Sequence, residues 1–200
     1  MPILVLLRHG KSTYNLEKRF AGRLDIPLAE EGRQEAKEAA RLLIGYRFDK
    51  AYTSSLQRAI HTLDIILSEL NHPPIPIIKT PKLNERHQGI LEGMSMEHAD
   101  MKYGKEQAHI WERGYGSGPP GGETSKDLEA RALSVLHQEI IPDLDQGKNV
   151  LVVSHSNPIR FMVKDIEKMD TESCKGLHIG NSVPLIYERN GGKFSKRQLI

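Results

Sequence analysis

One stretch near the N-terminus decides the fold: Leu6-Leu7-Arg8-His9-Gly10-Lys11-Ser12. It contains the end of an apolar run, 2–7, whose length and composition are typical of a strand buried in a covered sheet. The run stops at an arginine, a histidine and a glycine. These residues therefore lie at the carboxyl end of a core strand, where open α/β sheets place their ligands. By itself, the pattern also fits an ordinary strand end followed by a polar turn.

Apolar periodicity predicts that strands and helices alternate along the chain. After the first strand, 8–28 is expected to be a long polar loop. Further strands are expected at 48–53, 75–79, 148–154 and 183–188, and helices at 30–44, 56–70, 95–113 and 124–141. This order predicts an α/β fold in three layers, with a mostly parallel sheet between helices on both faces. We expect a single domain over 1–200, with an insertion at about 81–123 above the strand ends.

Composition excludes several functional classes. The 200 residues are 38% hydrophobic and 27% charged, and no apolar run approaches the roughly 20 residues of a membrane helix. The N-terminal run lacks the features of a signal peptide. Cys174 is the only cysteine, which rules out an internal disulfide and favours a reducing cytoplasm. A net charge of +2 does not indicate nucleic-acid binding. We therefore expect a cytoplasmic protein without membrane or nucleic-acid partners, in an oligomeric state that the sequence leaves open.

Two predicted strands end in a histidine, His9 and His155. If both strands are parallel in one sheet, both imidazoles emerge at the same edge. Arg58 follows the second predicted strand, and Glu85 and Arg86 lie in the segment expected to fold over that edge. The candidate site thus combines imidazoles, guanidinium groups and a carboxylate. We interpret the other histidines as surface or structural residues: His61, His72, His87, His98, His109, His137 and His178.

These residue types suit phosphoryl transfer. The transferred group spreads negative charge over three oxygens, so cationic donors and positioning supply most of the catalysis. One imidazole can attack phosphorus and form a covalent intermediate, while the other donates to the phosphoryl oxygens. A carboxyl group can protonate the leaving oxygen. The sequence has no phosphate-binding glycine loop and no zinc-binding helix motif, and we expect no metal.

The chain resembles the histidine phosphatase superfamily and, within it, the cofactor-dependent phosphoglycerate mutases. The resemblance covers the chain almost end to end, and the order and number of its weak motifs make it specific. The main motifs are Arg8-His9-Gly10 with Asn15, Thr53-Ser54 with Arg58-Ala59, Leu83-Asn84-Glu85-Arg86, and Ser154-His155. Further similar stretches are Phe20-Ala21-Gly22, Tyr103-Gly104, Trp111 with Arg113, Gly122-Glu123, and Pro184-Leu185.

The resemblance implies a role for each matching residue. His9 would be the phosphorylated nucleophile, Arg8, Arg58 and His155 would surround the phosphoryl group, and Glu85 would be the acid and base. The implied reaction interconverts 3- and 2-phosphoglycerate, primed by 2,3-bisphosphoglycerate and without a metal. The implied partner is thus a small phosphorylated metabolite. The implied substrate-binding residues are Gly10, Lys11, Ser12, Asn15, Ala21, Gly22, Arg86, Gln88, Arg113, Ser156 and Asn157.

Several residues depart from the mutase pattern. Gln88, Met96 and Glu112 replace a tyrosine, a lysine and an arginine where the mutases hold the non-reacting end of the substrate, and Lys11 replaces a glutamate. The loss of these cations is expected to cost about one to three orders of magnitude in affinity. That cost would be offset if a nearby lysine compensates: Lys11, Lys102 or Lys105.

Two alternatives to the mutase stay open. One is a phosphatase that makes the same phosphohistidine and passes the phosphoryl group to water. The other is a catalytically idle module that only recognises phosphate.

Overall fold

The fold is built around a six-stranded mixed sheet. It is seen in a computed structural model, in which the described part of the chain is residues 1–197 apart from the side chain of Arg113. The strands are β1 (Ile3–Arg8), β2 (Lys50–Thr53), β3 (Ile77–Lys79), β4 (Val150–Ser154), β5 (Leu185–Asn190) and β6 (Lys193–Arg197). They lie in the order β3-β2-β4-β1-β5-β6. The first three pairings in that order are parallel and the last two antiparallel, so the predicted, mostly parallel sheet is confirmed.

Helices cover both faces of this sheet. They are α1 (Thr13–Leu16), α2 (Glu30–Leu42), α3 (Gln57–Glu69), α4 (Met96–Tyr103), α5 (Lys105–Arg113), α6 (Ser125–Val135), α7 (Ile141–Asp145), α8 (Ser156–Ile166) and α9 (Thr171–Gly176). Short 3-10 turns occur at Pro81–Leu83 and Gly89–Leu91, and a π-helical segment, Leu136–Ile140, joins α6 to α7. Within the described residues, no helix is both long and apolar enough to cross a membrane.

Alternate residues of β1 face the two helical layers. Leu4 and Leu6 belong to the core cluster that contains residues of α6 and α8, whereas Val5 and Leu7 pack with residues of α2 and α3. All four side chains are fully buried. Burial of one such side chain is worth about 1.5–3 kcal/mol, so β1 is held firmly from both sides. The predicted three-layer arrangement is therefore confirmed.

Some predicted elements differ from the structure. The long loop after β1 contains α1, which starts with a capping box made by Ser12 and Asn15. The helix expected at 95–113 is divided at Gly104, whose φ of +82° is easy only for glycine. The expected last strand is followed by β6, which has a polar sequence, KFSKR.

The register of the sheet places the site. Arg8 on β1 is the parallel partner of Ser154 on β4, so the next residues, His9 and His155, leave the sheet side by side. The backbone N–H of His9 donates to the carbonyl of Ser154 at 3.0 Å, which extends the pairing by one residue. The two strand ends therefore meet at one edge of the sheet.

Candidate active site

His9 and His155 lie in direct contact. Their ring centroids are 4.9 Å apart, with the ring planes inclined by 62°. A gap of this size lets two imidazoles contact one phosphoryl group, which is the geometry that the strand-end pattern predicts. Both rings are buried: His9 is 3% exposed and His155 is fully covered.

The backbone fixes the tautomer of His9. Its Nδ1 lies 2.6 Å from the carbonyl oxygen of Gly10. Because a carbonyl oxygen can only accept, Nδ1 must carry the proton, and the lone pair is left on Nε2. His9 also lines a cavity at this edge of the sheet. Its unprotonated nitrogen is thus available as a nucleophile at the cavity.

His155 is oriented by a hydroxyl group. Its Nε2 lies 2.8 Å from Ser54 Oγ, which itself accepts the backbone N–H of Leu56 at 3.2 Å. If the hydroxyl donates its proton to His155 Nε2, the imidazole proton lies on Nδ1. Among the described residues, no atom hydrogen bonds to this buried Nδ1. In that tautomer, Nδ1 is a donor without an acceptor among the described residues, next to His9.

Two arginines flank the histidines: Arg58, which is buried, and Arg8, which is partly buried. Arg8 donates through Nη1 to the carbonyl of Ile179 at 2.8 Å, and its buried Nε has no partner among the described residues. Arg58 donates to the carbonyls of Leu24 and Gly22, both at 2.8 Å, which fixes that loop over the site. Burial lowers the pKa of Arg58 to about 10, so the group stays charged at neutral pH.

The same arginines act on the histidines. Burial, followed by the charges of Arg58 and Arg8, lowers the pKa of His9 well below its usual value. Burial and Arg58 also lower the pKa of His155. Both imidazoles are therefore neutral at neutral pH, the form in which His9 can attack phosphorus.

The carboxyl group of Glu85 lines the same cavity. Its Oε1 accepts the backbone N–H of Arg86 and the Nδ2 of Asn157, each at 2.8 Å. The other end of the Asn157 amide accepts from Arg160 Nη1 at 2.8 Å. The carboxyl group is thus held at the cavity wall, where it can exchange a proton with a bound substrate.

The cavity has a volume of about 320 Å³. It brings together most of the predicted site residues. Those that line it are Arg8, His9, Ser12, Asn15, Ala21, Gly22, Arg58, Glu85, Arg86, Gln88, Ser156 and Asn157. His155 lies just behind His9.

Two predicted substrate-binding residues lie outside this lining. Lys11 turns away because its ammonium group forms an ion pair with Glu35 at 2.8 Å, so the structure gives no support to its predicted substrate contact. Gly10 is enclosed instead: a Cβ atom there would lie 2.1 Å from the carbonyl oxygen of Gly32. The Arg113 side chain lies outside the described part of the chain, and its predicted role stays a prediction.

The lining also contains residues that the sequence reasoning missed as binding residues, namely Arg19, Phe20, Arg160 and His178. The spacing between Asn157 and Arg160, three residues on one helix, was a signal that could have identified Arg160. His178 was interpreted as surface or structural, and it follows no strand and belongs to no motif. Only the fold places it at the cavity.

The comparison with known families agrees with this geometry. The sequence model of the histidine phosphatase superfamily (branch 1) matches residues 4–199. The chain belongs to the histidine phosphatase superfamily. Among named superfamily members, it is 41% identical over 197 residues to 2,3-bisphosphoglycerate-dependent phosphoglycerate mutase 2 of Gloeobacter violaceus, covering 98% of this chain and 90% of that protein. It is 45% identical over 187 residues to 2,3-bisphosphoglycerate-dependent phosphoglycerate mutase of Bradyrhizobium sp., covering 92% and 90%.

Solved structures in the superfamily share the fold. Bacillus stearothermophilus YhfR matches with a TM-score of 0.85 and 28% identity, covering 98% of this chain and 95% of that one. The alpha-ribazole phosphatase from Shigella flexneri matches with a TM-score of 0.83 and 24% identity, covering 98% and 95%. At that identity, the second match supports the fold alone.

Proposed function

We propose that this protein is a phosphoglycerate mutase that interconverts 3- and 2-phosphoglycerate through a phosphohistidine at His9. The observation that carries the proposal is the contact of His9 with His155, at 4.9 Å between ring centroids, beside the buried Arg58 and the partly buried Arg8. The relatives at 41% and 45% identity are named as mutases of this type.

The cavity fits a phosphoryl group. In the tautomer that carries the proton on Nδ1, His155 Nδ1 and Arg8 Nε are buried donors without a partner among the described residues, and such donors are costly to leave unsatisfied. Phosphoryl oxygens would satisfy both donors. The guanidinium of Arg58 adds a fixed positive charge where negative charge grows in the transition state. The same groups fit 2,3-bisphosphoglycerate, which, when bound, supplies the phosphoryl group that primes His9.

The first half-reaction forms a bond between His9 Nε2 and phosphorus and breaks the bond between phosphorus and the substrate oxygen. Nδ1 keeps its proton and donates it in a hydrogen bond to the Gly10 carbonyl oxygen. This hydrogen bond stabilises the positive charge that develops on the ring. Glu85 donates a proton to the leaving oxygen. In the second half-reaction, Glu85 takes a proton from the attacking hydroxyl, and the bond between phosphorus and nitrogen breaks.

A phosphatase is the second candidate. Met96 and Glu112 line the cavity, and neither offers a positive charge to the non-reacting end of a phosphoglycerate. If the dephosphorylated product leaves the phosphohistidine enzyme, water takes the phosphoryl group from His9 instead.

One experiment tests both candidates. The protein is incubated with 3-phosphoglycerate, with and without 2,3-bisphosphoglycerate, while 2-phosphoglycerate and free phosphate are measured. A mutase produces 2-phosphoglycerate in a manner that depends on the bisphosphate, whereas a phosphatase releases phosphate without isomerisation.

The variant His9→Asn should abolish either activity and the acid-labile phosphoenzyme. His137→Asn is the matched control because His137 lies in the π-helical segment and does not line the cavity. Activity near the wild-type level in His9→Asn would remove His9 from the nucleophile role.

A further inference from the structure

The backbone that follows His9 is held by side chains. The peptide group between His9 and Gly10 is bound at both ends: the Gly10 N–H donates to Thr62 Oγ1 at 3.1 Å, and the His9 carbonyl accepts from Asn181 Nδ2 at 2.8 Å. Thr62 Oγ1 donates its own proton to the carbonyl of Arg58 at 2.7 Å, so it accepts from Gly10. The orientation of this peptide group is therefore fixed.

The next peptide group, between Gly10 and Lys11, lies between an imidazole and a carboxylate. Its carbonyl oxygen accepts from His9 Nδ1 at 2.6 Å, and its N–H donates to Glu35 Oε2 at 2.9 Å. Hydrogen bonds in such a chain polarise one another, and the charge on the carboxylate strengthens the bond that it accepts. The charge of Glu35 thus makes the Gly10 carbonyl a stronger acceptor for the proton of His9.

Close packing of α2 brings Glu35 to this peptide group. A Cβ atom on Gly10 would clash with the carbonyl oxygen of Gly32, and one on Gly32 would clash with the carbonyl oxygen of Lys11. The two glycines therefore allow the helix to touch this backbone. Glu35 follows Gly32 by three residues and lies on the same face of the helix. Because glycine restricts its own backbone little, the Glu35 contact is what fixes the peptide group after Gly10.

Glu35 acts on the ring of His9 and not on the substrate, since it is not among the described residues that line the cavity. Its side chain is 21% exposed, and its Oε1 pairs with the more exposed ammonium of Lys11 at 2.8 Å. Burial and two arginine charges lower the pKa of His9, whereas the hydrogen bond to the Gly10 carbonyl acts in the opposite direction. The carbonyl thus favours the positively charged ring, the form that phosphorylation of Nε2 produces.

We propose that Glu35 is a positioning residue for phosphoryl transfer and that it acts on His9 through the peptide group between Gly10 and Lys11. When His9 Nε2 bonds to phosphorus and the bond from phosphorus to the leaving oxygen breaks, Nδ1 keeps its proton and the ring gains positive charge. Glu35 holds the carbonyl that orients this proton and stabilises that charge. The inference rests on the proposed phosphohistidine and adds a residue of α2 to the groups that promote its formation.

The kinetic test uses p-nitrophenyl phosphate, whose leaving group needs no proton from Glu85. Single-turnover release of p-nitrophenolate, with enzyme in excess, then reports the attack by His9 alone. Glu35→Ala removes the carboxylate, whereas Glu35→Gln keeps an acceptor oxygen without the charge. Glu38→Gln is the matched control because it makes the same change at an exposed residue of α2.

A second measurement follows the proton of His9 directly. NMR of protein with 15N-labelled histidine rings shows which ring nitrogen carries the proton, and the variant His9→Asn assigns the signal. Wild type and Glu35→Gln should carry the proton on Nδ1, with the Nδ1–H resonance of Glu35→Gln shifted toward that of a weaker hydrogen bond. In Glu35→Ala, part of the population should carry the proton on Nε2.

We expect the rate constant at saturation to fall about tenfold in Glu35→Ala and about threefold in Glu35→Gln, while the half-saturating concentration stays within about twofold. Glu38→Gln should match wild type in both measurements. Glu35 variants that keep the wild-type tautomer and Nδ1–H resonance would overturn the inference, whatever their rates. A wild-type rate in Glu35→Ala, or an equal loss in Glu38→Gln, would overturn it as well.

The proposed function fails in a different way. Wild-type protein that releases no p-nitrophenolate and forms no acid-labile phosphohistidine would overturn the phosphoryl transfer itself. The NMR measurement needs no substrate, so it would still decide whether Glu35 orients His9.

Discussion

Arg131 and Glu123 are joined by two parallel hydrogen bonds, from Nε to Oε1 at 2.6 Å and from Nη2 to Oε2 at 2.9 Å. The same guanidinium donates to the backbone carbonyls of Lys82 at 2.6 Å and Glu85 at 3.1 Å. Glu123 in turn accepts the backbone N–H of His87 at 3.3 Å. Burial alone would raise the pKa of Glu123, but the hydrogen bonds from Arg131 lower it overall, so the pair is ionised. It fixes the backbone on both sides of Glu85.

We therefore expect Arg131→Lys to impair proton donation by Glu85. A lysine keeps the charge but loses the planar fork that binds Glu123 and the backbone together. With an alkyl phosphate, whose leaving oxygen needs a proton, kcat/KM should fall about tenfold or more. With p-nitrophenyl phosphate, which leaves as a stable anion, the loss should be much smaller.

The matched control for this prediction is Arg189→Lys. Arg189 makes a similar two-point contact with Asp145, at 2.6 and 3.1 Å, but neither residue lines the cavity. Its kcat/KM should match wild type with both substrates. A loss of the same size on the two substrates in Arg131→Lys would indicate general damage rather than a misplaced acid.

Ser54 positions the second imidazole through a single hydrogen bond. In Ser54→Ala, His155 Nε2 loses its partner at 2.8 Å, and the proton is no longer directed to Nδ1. A neutral hydrogen bond is worth about 1 kcal/mol, so we expect phosphohistidine formation to slow about three- to tenfold. Ser54→Thr keeps the hydroxyl and should recover most of the rate. A Ser54→Ala enzyme as fast as wild type would show that the orientation of His155 does not limit the reaction.

The pH dependence should show the lowered pKa of His9. Because the neutral imidazole is the proposed nucleophile and its pKa lies below the usual 6.5, phosphohistidine formation should keep its rate as the pH falls from about 7.5 to about 6. Arg58→Gln removes a charge that lowers this pKa, so its acid limb should move to higher pH. Arg33→Gln, an exposed change on α2, should leave the limb in place. A wild-type rate that is half-maximal near pH 6.5 would contradict the prediction.

The sequence predicted the two histidines at the centre of the site better than it predicted the residues that surround them. His9 and His155 each follow an apolar run, and parallel strands bring equivalent ends together, so simple periodicity locates them. Lys11 shows the limit of this reasoning. The position of Lys11 close to His9 in the chain does not reveal that its ammonium group forms an ion pair with Glu35 on α2. Side-chain direction depends on tertiary partners that a local pattern does not contain.

The same limit applies to elements outside the core. The β6 strand pairs with β5 at the edge of the sheet, where its charged side chains meet solvent and no apolar alternation is required. His178 lies at the cavity next to Ile179, whose carbonyl accepts a hydrogen bond from Arg8 across the fold. Such long-range contacts determine which residues surround the two histidines, and no periodic pattern in the sequence indicates these contacts.

Asp143 should stabilise the fold at the opposite end of the strands. It is 5% exposed and binds Lys148 and Lys50, each at 2.7 Å, and the hydroxyl of Tyr52 at 2.5 Å. Burial alone would raise its pKa, but these partners lower it from 3.8 to about 2. The carboxylate therefore stabilises the folded state above about pH 4, and this contribution is lost as the pH falls toward about 2.

We expect Asp143→Asn to lower the free energy of unfolding by about 2–4 kcal/mol near pH 7. Urea unfolding measures this loss, which should shrink between about pH 4 and pH 2, whereas Asp145→Asn, an exposed change, should cost under about 1 kcal/mol. A loss for Asp143→Asn that does not depend on pH would show that its charge is not the stabilising feature.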